Sequence, residues 1–172
     1  GSSDPERTGL VHSLARPEGN VTGLSMYSAE ISGKRLELLK ELVGSVQRIA
    51  VLRNPNDPPA ALALRETQNT AQSLGMQVVD LEATTPENLD AAFVAAAKAG
   101  AGGIVILSSP MMAANTGRLA RLALQNRLPA VFWSRTFPRD GGLFSYGPDG
   151  AELWRRAAAY ADKILRGARP AD

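Results

Sequence analysis

"GIVIL" at residues 103–107 and "PAVFW" at residues 129–133 decide the fold. Both runs are apolar almost throughout and lack the alternating polar positions of a strand that faces water on one side. That composition suits strands buried on both faces, as in a parallel sheet with helices above and below it. Working outward, "RIAVL" (48–52) and "GLFSY" (142–146) are runs of the same kind. "MQVVDL" (76–81) is more mixed, as an edge strand would be.

Helical patterns separate these runs. Residues 60–74 carry Leu64, Thr67, Ala71 and Leu74 on one face and stop at Gly75. Residues 86–99 follow Thr85 as N-cap, hold Pro86 in the first turn and stop at Gly100. Residues 112–126 turn Leu119, Leu122 and Ala123 inward, and residues 28–43 run from Ser28 to a stop at Gly44. Strand–helix alternation with short links predicts an α/β fold, a Rossmann-like, doubly wound parallel sheet of about five strands.

The two ends lie outside that unit. Asp4 and Pro5 open a short helix over 5–15 with Leu10, Val11 and Leu14 on one face. Residues 149–166 form a long helix with a broad apolar stripe of Leu153, Trp154, Ala157, Ala158, Ala161, Ile164 and Leu165. "GNVTG" (19–23) precedes the central unit and "SYGPDG" (145–150) follows it, and the two read as a pair of glycine-bearing crossings.

Composition narrows the function. The 172 residues suit one domain of ordinary size, and 44% hydrophobic residues can fill its core. The formal net charge is only +2 and no basic block occurs, which argues against a nucleic-acid partner. There is no cysteine, so disulfides, thiol catalysis and Cys-based metal sites are excluded. No apolar run approaches the roughly 20 residues of a membrane span, and "GSSDPERTG" at the start is not a signal peptide.

The search for catalytic chemistry finds little. His12 is the one histidine and reads as an ordinary helix residue beside Val11, so neither a His-based metal site nor a Ser-His-Asp triad has support. The glycines of "AGAGG" (99–103) precede a strand, whereas a dinucleotide fingerprint follows one, and the first βα loop, "RNPNDPPA" (53–60), has no glycine. No catalytic residue, cofactor or metal is assigned.

Open α/β sheets place ligands at the carboxyl ends of their strands. There stand Asn54, Pro55, Asn56 and Asp57 after the first strand, Ser108 and Ser109 after the third, Ser134 and Arg135 after the fourth, and Tyr146 after the fifth. Asn and Ser also cap helices and shape turns, which is the plain alternative for each residue singly. As a set without an acid–base pair, Asn54, Asn56, Ser108, Ser109, Ser134, Arg135 and Tyr146 look like a binding surface. Helix N–H groups that open at the same edge favour an anion such as a carboxylate.

"LARPEGNVTGLS" (14–25), "SGKRLELLKELVGSVQRIAVLRNP" (32–55), "LPAVFWSRTFPRDGGLFSYGPD" (128–149) and "LWRRAAAYADKILRGARPAD" (153–172) occur in that order over nearly the whole chain. Together they resemble the ABC-transporter substrate-binding proteins related to tryptophan- and tyrosine-type amino-acid binders. The resemblance implies a type I periplasmic binding protein, with two Rossmann-like lobes that close by a hinge on a ligand held between them. It implies residues 1–19 as the end of the first lobe, 20–147 as the second, ligand-binding lobe and 148–172 as a helix returning to the first. Asn20, Val21, Thr22, Gly23 and Gly147 become hinge residues, with "GNVTG" as a hinge strand. The family's members are longer, so the chain looks like a fragment centred on the second lobe.

The resemblance further implies export, in the periplasm or tethered to a membrane, and an ABC permease as partner. Aromatic amino-acid binders of this type tend to carry an aspartate after the third and fourth strands of this lobe. Here those places hold Ser108–Ser109 and Ser134–Arg135, and Arg135 suits an acidic or carboxylated ligand. A fragment of this kind is expected to bind ligand weakly, and to cover its 149–166 stripe with the helix at 5–15 or with a second copy, as a homodimer. The alternatives are a small α/β enzyme of hydrolase or sugar-phosphate type, and a sensory or regulatory ligand-binding domain on the same fold.

Overall fold

Leu52, Ile106 and Phe132 have no exposed surface, because the strands that carry them are covered on both sides. The computed structural model of the chain describes residues 5–6, 9, 11–13, 20–25 and 28–169. By their contacts the residues divide into two units, 28–147 and 1–27 together with 148–172.

The larger unit runs α1 (Ser28–Val43), β1 (Arg48–Arg53), α2 (Ala60–Ser73), β2 (Gln77–Glu82), α3 (Asn88–Lys98), β3 (Ile104–Ile106), α4 (Pro110–Ala114), α5 (Thr116–Gln125), β4 (Ala130–Phe132), α6 (Thr136–Arg139) and β5 (Phe144–Ser145). The five strands form one sheet in the order β2-β1-β3-β4-β5, parallel at every pairing. The expected edge strand, β2, lies at an edge.

Side-chain alternation splits the core into two layers. Ile49, Val51, Val105, Leu107 and Val131 face one way and pack with Leu36 and Leu39 of α1 and Ala63 and Ala71 of α2. Ala50, Leu52, Ile104, Ile106, Ala130 and Phe132 face the other way, onto Leu89 and Phe93 of α3, Met112 of α4, Leu119 and Leu122 of α5, and Phe137 of α6. Each large apolar side chain sealed in this way stabilises the fold by about 1.5–3 kcal/mol. On the first face α1 and α2 approach closely at Gly33, where an added Cβ would lie 2.5 Å from Thr70 Oγ1.

Gly44, Gly75 and Gly100 end their helices with φ of +74°, +68° and +68°, the left-handed geometry that favours glycine at a helix stop. Two expected helices differ in detail. The helix expected over 112–126 is two, broken at Asn115, whose side-chain amide donates to the Met111 carbonyl at 2.8 Å; a short polar side chain here competes with the helix ladder. Thr85 is not the N-cap of α3. The cap position is Glu87, and the side-chain oxygen of Asn88 instead accepts from the Thr85 backbone N–H at 3.2 Å.

In the smaller unit, α7 (Gly150–Leu165) begins at Asp149, whose carboxylate accepts from the N–H groups of Ala151 and Glu152 at 3.0 and 3.3 Å. None of its residues is buried. Leu153 and Ala157 are half-covered, while Trp154 is 77% and Leu165 87% exposed. Within the expected helix at 5–15, Pro5 and Glu6 form a turn closed by the Gly9 N–H on the Glu6 carbonyl at 3.0 Å, and Gly9 has φ +70°. That geometry is not helical; Leu10 and Leu14 of the expected apolar face lie outside the described residues. Asn20 to Ser25 run outside any helix or strand, so the expected hinge strand at "GNVTG" is not formed among the described residues, and Gly19 lies outside them.

Candidate functional site

In a sheet ordered β2-β1-β3-β4-β5, the chain leaves β1 towards one side and returns to β3 on the other. The chain after β1 goes to α2 on one face and the chain after β3 goes to α4 on the other, which makes this the topological switch at which open α/β sheets place ligands. The Leu107 N–H donates to the Leu52 carbonyl at 2.9 Å, and the Tyr146 N–H to the Phe132 carbonyl at 3.1 Å. Asn54, Ser108, Ser134 and Tyr146 therefore follow one another along a single edge, in the order of the strands that carry them.

Their surroundings differ in how much of each side chain the local structure uses. The Asn54 side-chain oxygen accepts from the Asn56 N–H at 3.0 Å, and its carbonyl accepts from the Asp57 N–H at 3.2 Å. Asn54 thus folds its own loop, and Asn56 is carried outward on it, exposed. Ser109 is buried and caps α4, its hydroxyl accepting from the Met112 N–H at 3.0 Å. Ser108, beside it, is half-buried. The Ser134 hydroxyl pairs with the Thr136 hydroxyl at 2.9 Å and opens α6. Arg135 is the exposed cap position of that short helix. Asn20, Val21, Thr22 and Gly23 fall in the smaller unit.

Gly147 has a packing reason to be glycine. An added Cβ would lie 3.0 Å from the Cβ and the carbonyl oxygen of Trp133, so the segments leaving β4 and β5 touch through backbone.

Two residues absent from the sequence-based set emerge here. Trp133 packs on Phe132, ring centroids 5.8 Å apart, and its indole Nε1 is buried without a partner. Arg35, on α1, is 0% exposed. Its Nε donates to the Tyr146 carbonyl at 2.7 Å and its Nη1 to the Ser32 hydroxyl at 3.4 Å, while Nη2 has no partner. Burial holds its pKa down, to about 10, partly offset by Tyr146. Helical spacing was the available signal: Ser32, Arg35, Leu36 and Leu39 share one face, and two of the four are leucines.

Charge at the edge is managed locally. Arg53, at the end of β1, holds Asp80 through two hydrogen bonds of 2.8 Å and also contacts Glu82. The Asp80 bond, with both carboxylates nearby, raises its pKa. The Asp57 Oδ2, by contrast, is buried without a partner. Among the described residues no three His, Cys, Asp or Glu side chains gather in a way that could hold a metal ion, and no helix is long and apolar enough to cross a membrane. Hydroxyl and amide side chains gather along this edge, groups of the kind found in sites for small polar molecules.

Known proteins match this chain along its length. The chain is 26% identical over 168 residues to the "Tyrosine-binding protein" of Clostridioides difficile (strain R20291), covering 96% of this chain and 47% of that protein. A conserved domain protein from Vibrio cholerae superposes with a TM-score of 0.86 at 27% identity, over 98% of this chain and 56% of that one. The ABC domain of Streptococcus pneumoniae, solved in complex with L-Trp, gives a TM-score of 0.85 at 22% identity, over 99% of this chain and 57% of that one, a likeness of fold. The chain thus spans about half the length of these relatives, and its fold is that of periplasmic binding proteins. With the family model "ABC transporter substrate binding protein" matching residues 1–172, the chain belongs to the ABC transporter substrate-binding protein family.

Proposed function

We propose that residues 20–147 form the ligand-binding lobe of a solute-binding protein, which captures a small carboxylated molecule such as an amino acid in an interlobe cleft and delivers it to a membrane permease. The observation that carries this reading is the strand order, which puts the topological switch between β1 and β3 with Asn54 and Ser108 following those two strands, in a chain of the substrate-binding family. Ser108, Ser134 and Tyr146 contact the ligand, with Arg135 offering a cation to its carboxylate. Asn54, Asn56 and Ser109 shape the loops around it. Asn20–Gly23 and Gly147 are the hinge, residues 1–19 and 148–172 belong with the first lobe, and the protein works without catalysis, outside the cytoplasm.

A relative named for tyrosine and a neighbour solved with L-Trp support an aromatic amino acid as the first candidate. The test is calorimetric titration of L-tyrosine, L-tryptophan and tyramine, which lacks the carboxylate. The protein is expressed from its complete open reading frame, beside the 172-residue chain. Binding of one amino acid but not of tyramine is expected, with weaker binding by the 172-residue chain. Equal binding of tyramine overturns the carboxylate reading, and no binding of any carboxylated solute by the complete protein overturns the function. We further propose that the 172-residue chain pairs with itself through α7, whose Trp154 and Leu165 are exposed. Sedimentation of a monomer at high concentration removes that proposal.

A further inference from the structure

The larger unit takes on one conspicuous cost. Arg35 is 0% exposed, on a helix face shared with Leu36 and Leu39, and one of its nitrogens has no partner. A methionine there would fill similar space without burying a charge, and such exchanges are often neutral or stabilising. An arginine therefore needs a reason other than stability. Its short bond, 2.7 Å from Nε to the Tyr146 carbonyl, supplies one.

Tyr146 stands where the fold is thinnest. β5 is two residues long and lies at the sheet edge, so its ladder runs to β4 alone, through Val131↔Phe144 and Phe132↔Ser145. Beyond the ladder, the Tyr146 N–H holds the Phe132 carbonyl. On the next residue Gly147 rests on the Trp133 backbone, in a space that admits no Cβ without a shift. Arg35 reaches the same segment from α1, in a different direction from β4. Residue 146 is thereby tied through both its N–H and its carbonyl, while it is 42% exposed as a whole.

We infer that Arg35 is a positioning residue: through the Tyr146 carbonyl it fixes the exit from β5 and with it the direction in which the Tyr146 side chain stands at the ligand edge. The inference rests on the proposed ligand role of Tyr146 for its functional meaning, but the tether itself does not. Burial that drives the guanidinium pKa down to about 10 leaves it charged at neutral pH, so the bond to the carbonyl is charge-assisted.

The test is amide hydrogen exchange on the 172-residue chain without ligand, comparing Arg35→Met and Arg35→Lys with the parent. Local opening exchanges apart from global unfolding, so Arg35→Met is expected to speed the Tyr146 amide about tenfold or more while Ile104 and Val105 of β3 stay within about threefold. Arg35→Lys, which keeps a donor near the carbonyl, brings Tyr146 back towards the parent rate. An unchanged Tyr146 rate in Arg35→Met, or an equal acceleration in β3, overturns the inference. Should Arg35→Met not fold, the uncharged Arg35→Gln takes its place under the same criteria: an acceleration confined to residues 144–147 supports the tether, and unchanged or fold-wide rates overturn it. Because no ligand enters the measurement, failure to bind any amino acid leaves the tether standing, and intact binding beside unchanged exchange removes Arg35 only.

Discussion

The two edges of the sheet are finished differently. At the amino edge, a groove of about 570 Å³ lies between Ser45–Arg48, Gly75, Gln77 and Gly100. Its principal charge is employed: Arg48 holds the Gln77 side chain at 3.0 Å and the Ala99 carbonyl. At the carboxyl edge, Asp57 Oδ2 and Trp133 Nε1 are buried without partners, as is the Nη2 of the arginine that reaches Tyr146. Leaving a buried polar atom unpaired costs about 1–3 kcal/mol. Among the described residues the unpaired buried atoms thus gather at the carboxyl edge, the one proposed to hold the ligand.

This contrast can be broken by experiment, starting with the largest effect. Phe137 has no exposed surface and meets Phe132 edge to face at 5.8 Å, supporting the segment between β4 and β5. Phe137→Ala is expected to cost about 3–5 kcal/mol, read as a drop in the urea midpoint. Gly147→Val forces a branched side chain against the Trp133 backbone, and about 1–3 kcal/mol of overpacking follows. Trp133 fluorescence in a Trp154→Phe background should move with it. Arg48→Ala at the amino edge should cost about 1 kcal/mol or less. A loss there as large as that of Phe137→Ala would end the comparison.

The smallest expected effect is a flat line. Burial holds the folded pKa of Arg35 down, to about 10, below the ordinary arginine value, so the unfolded chain binds more protons only between the two. The cost of burying the charge is complete below about pH 10 and is relieved as pH rises through that window. The difference in melting midpoint between the parent and Arg35→Met should therefore not change between pH 6 and 9. A slope in that range would mean that another titrating group faces Arg35.

Much of the frame was legible because it follows from period and composition. Continuous apolar runs marked the central strands, the mixed pattern of 76–81 marked the edge, and Gly44, Gly75 and Gly100 marked helix ends. Less legible were features decided by a side chain bonding backwards. Asn115 splits one helix by taking the Met111 carbonyl, and Asn88 reverses the capping expected of Thr85. Along the candidate edge, residue type showed that polar groups gather there, but not their division of labour. Ser109 spends its acceptor on a cap, whereas the orphaned Trp133 nitrogen and the buried Arg35 depend on partners distant in sequence. Amphipathic periodicity likewise found both α5 and α7. It could not tell that α5 would bury Leu119, Leu122 and Ala123 while α7 buries nothing.

The ion pairs from Arg53 to Asp80 and Glu82 have a consequence for self-association. β2 is an open edge, and a flat apolar edge invites strand-by-strand addition of further molecules. A strand adding along β2 would have to settle beside two carboxylates, and to screen them from water at the cost of disturbing the arginine that neutralises them. The sheet is thus guarded against growth along that border.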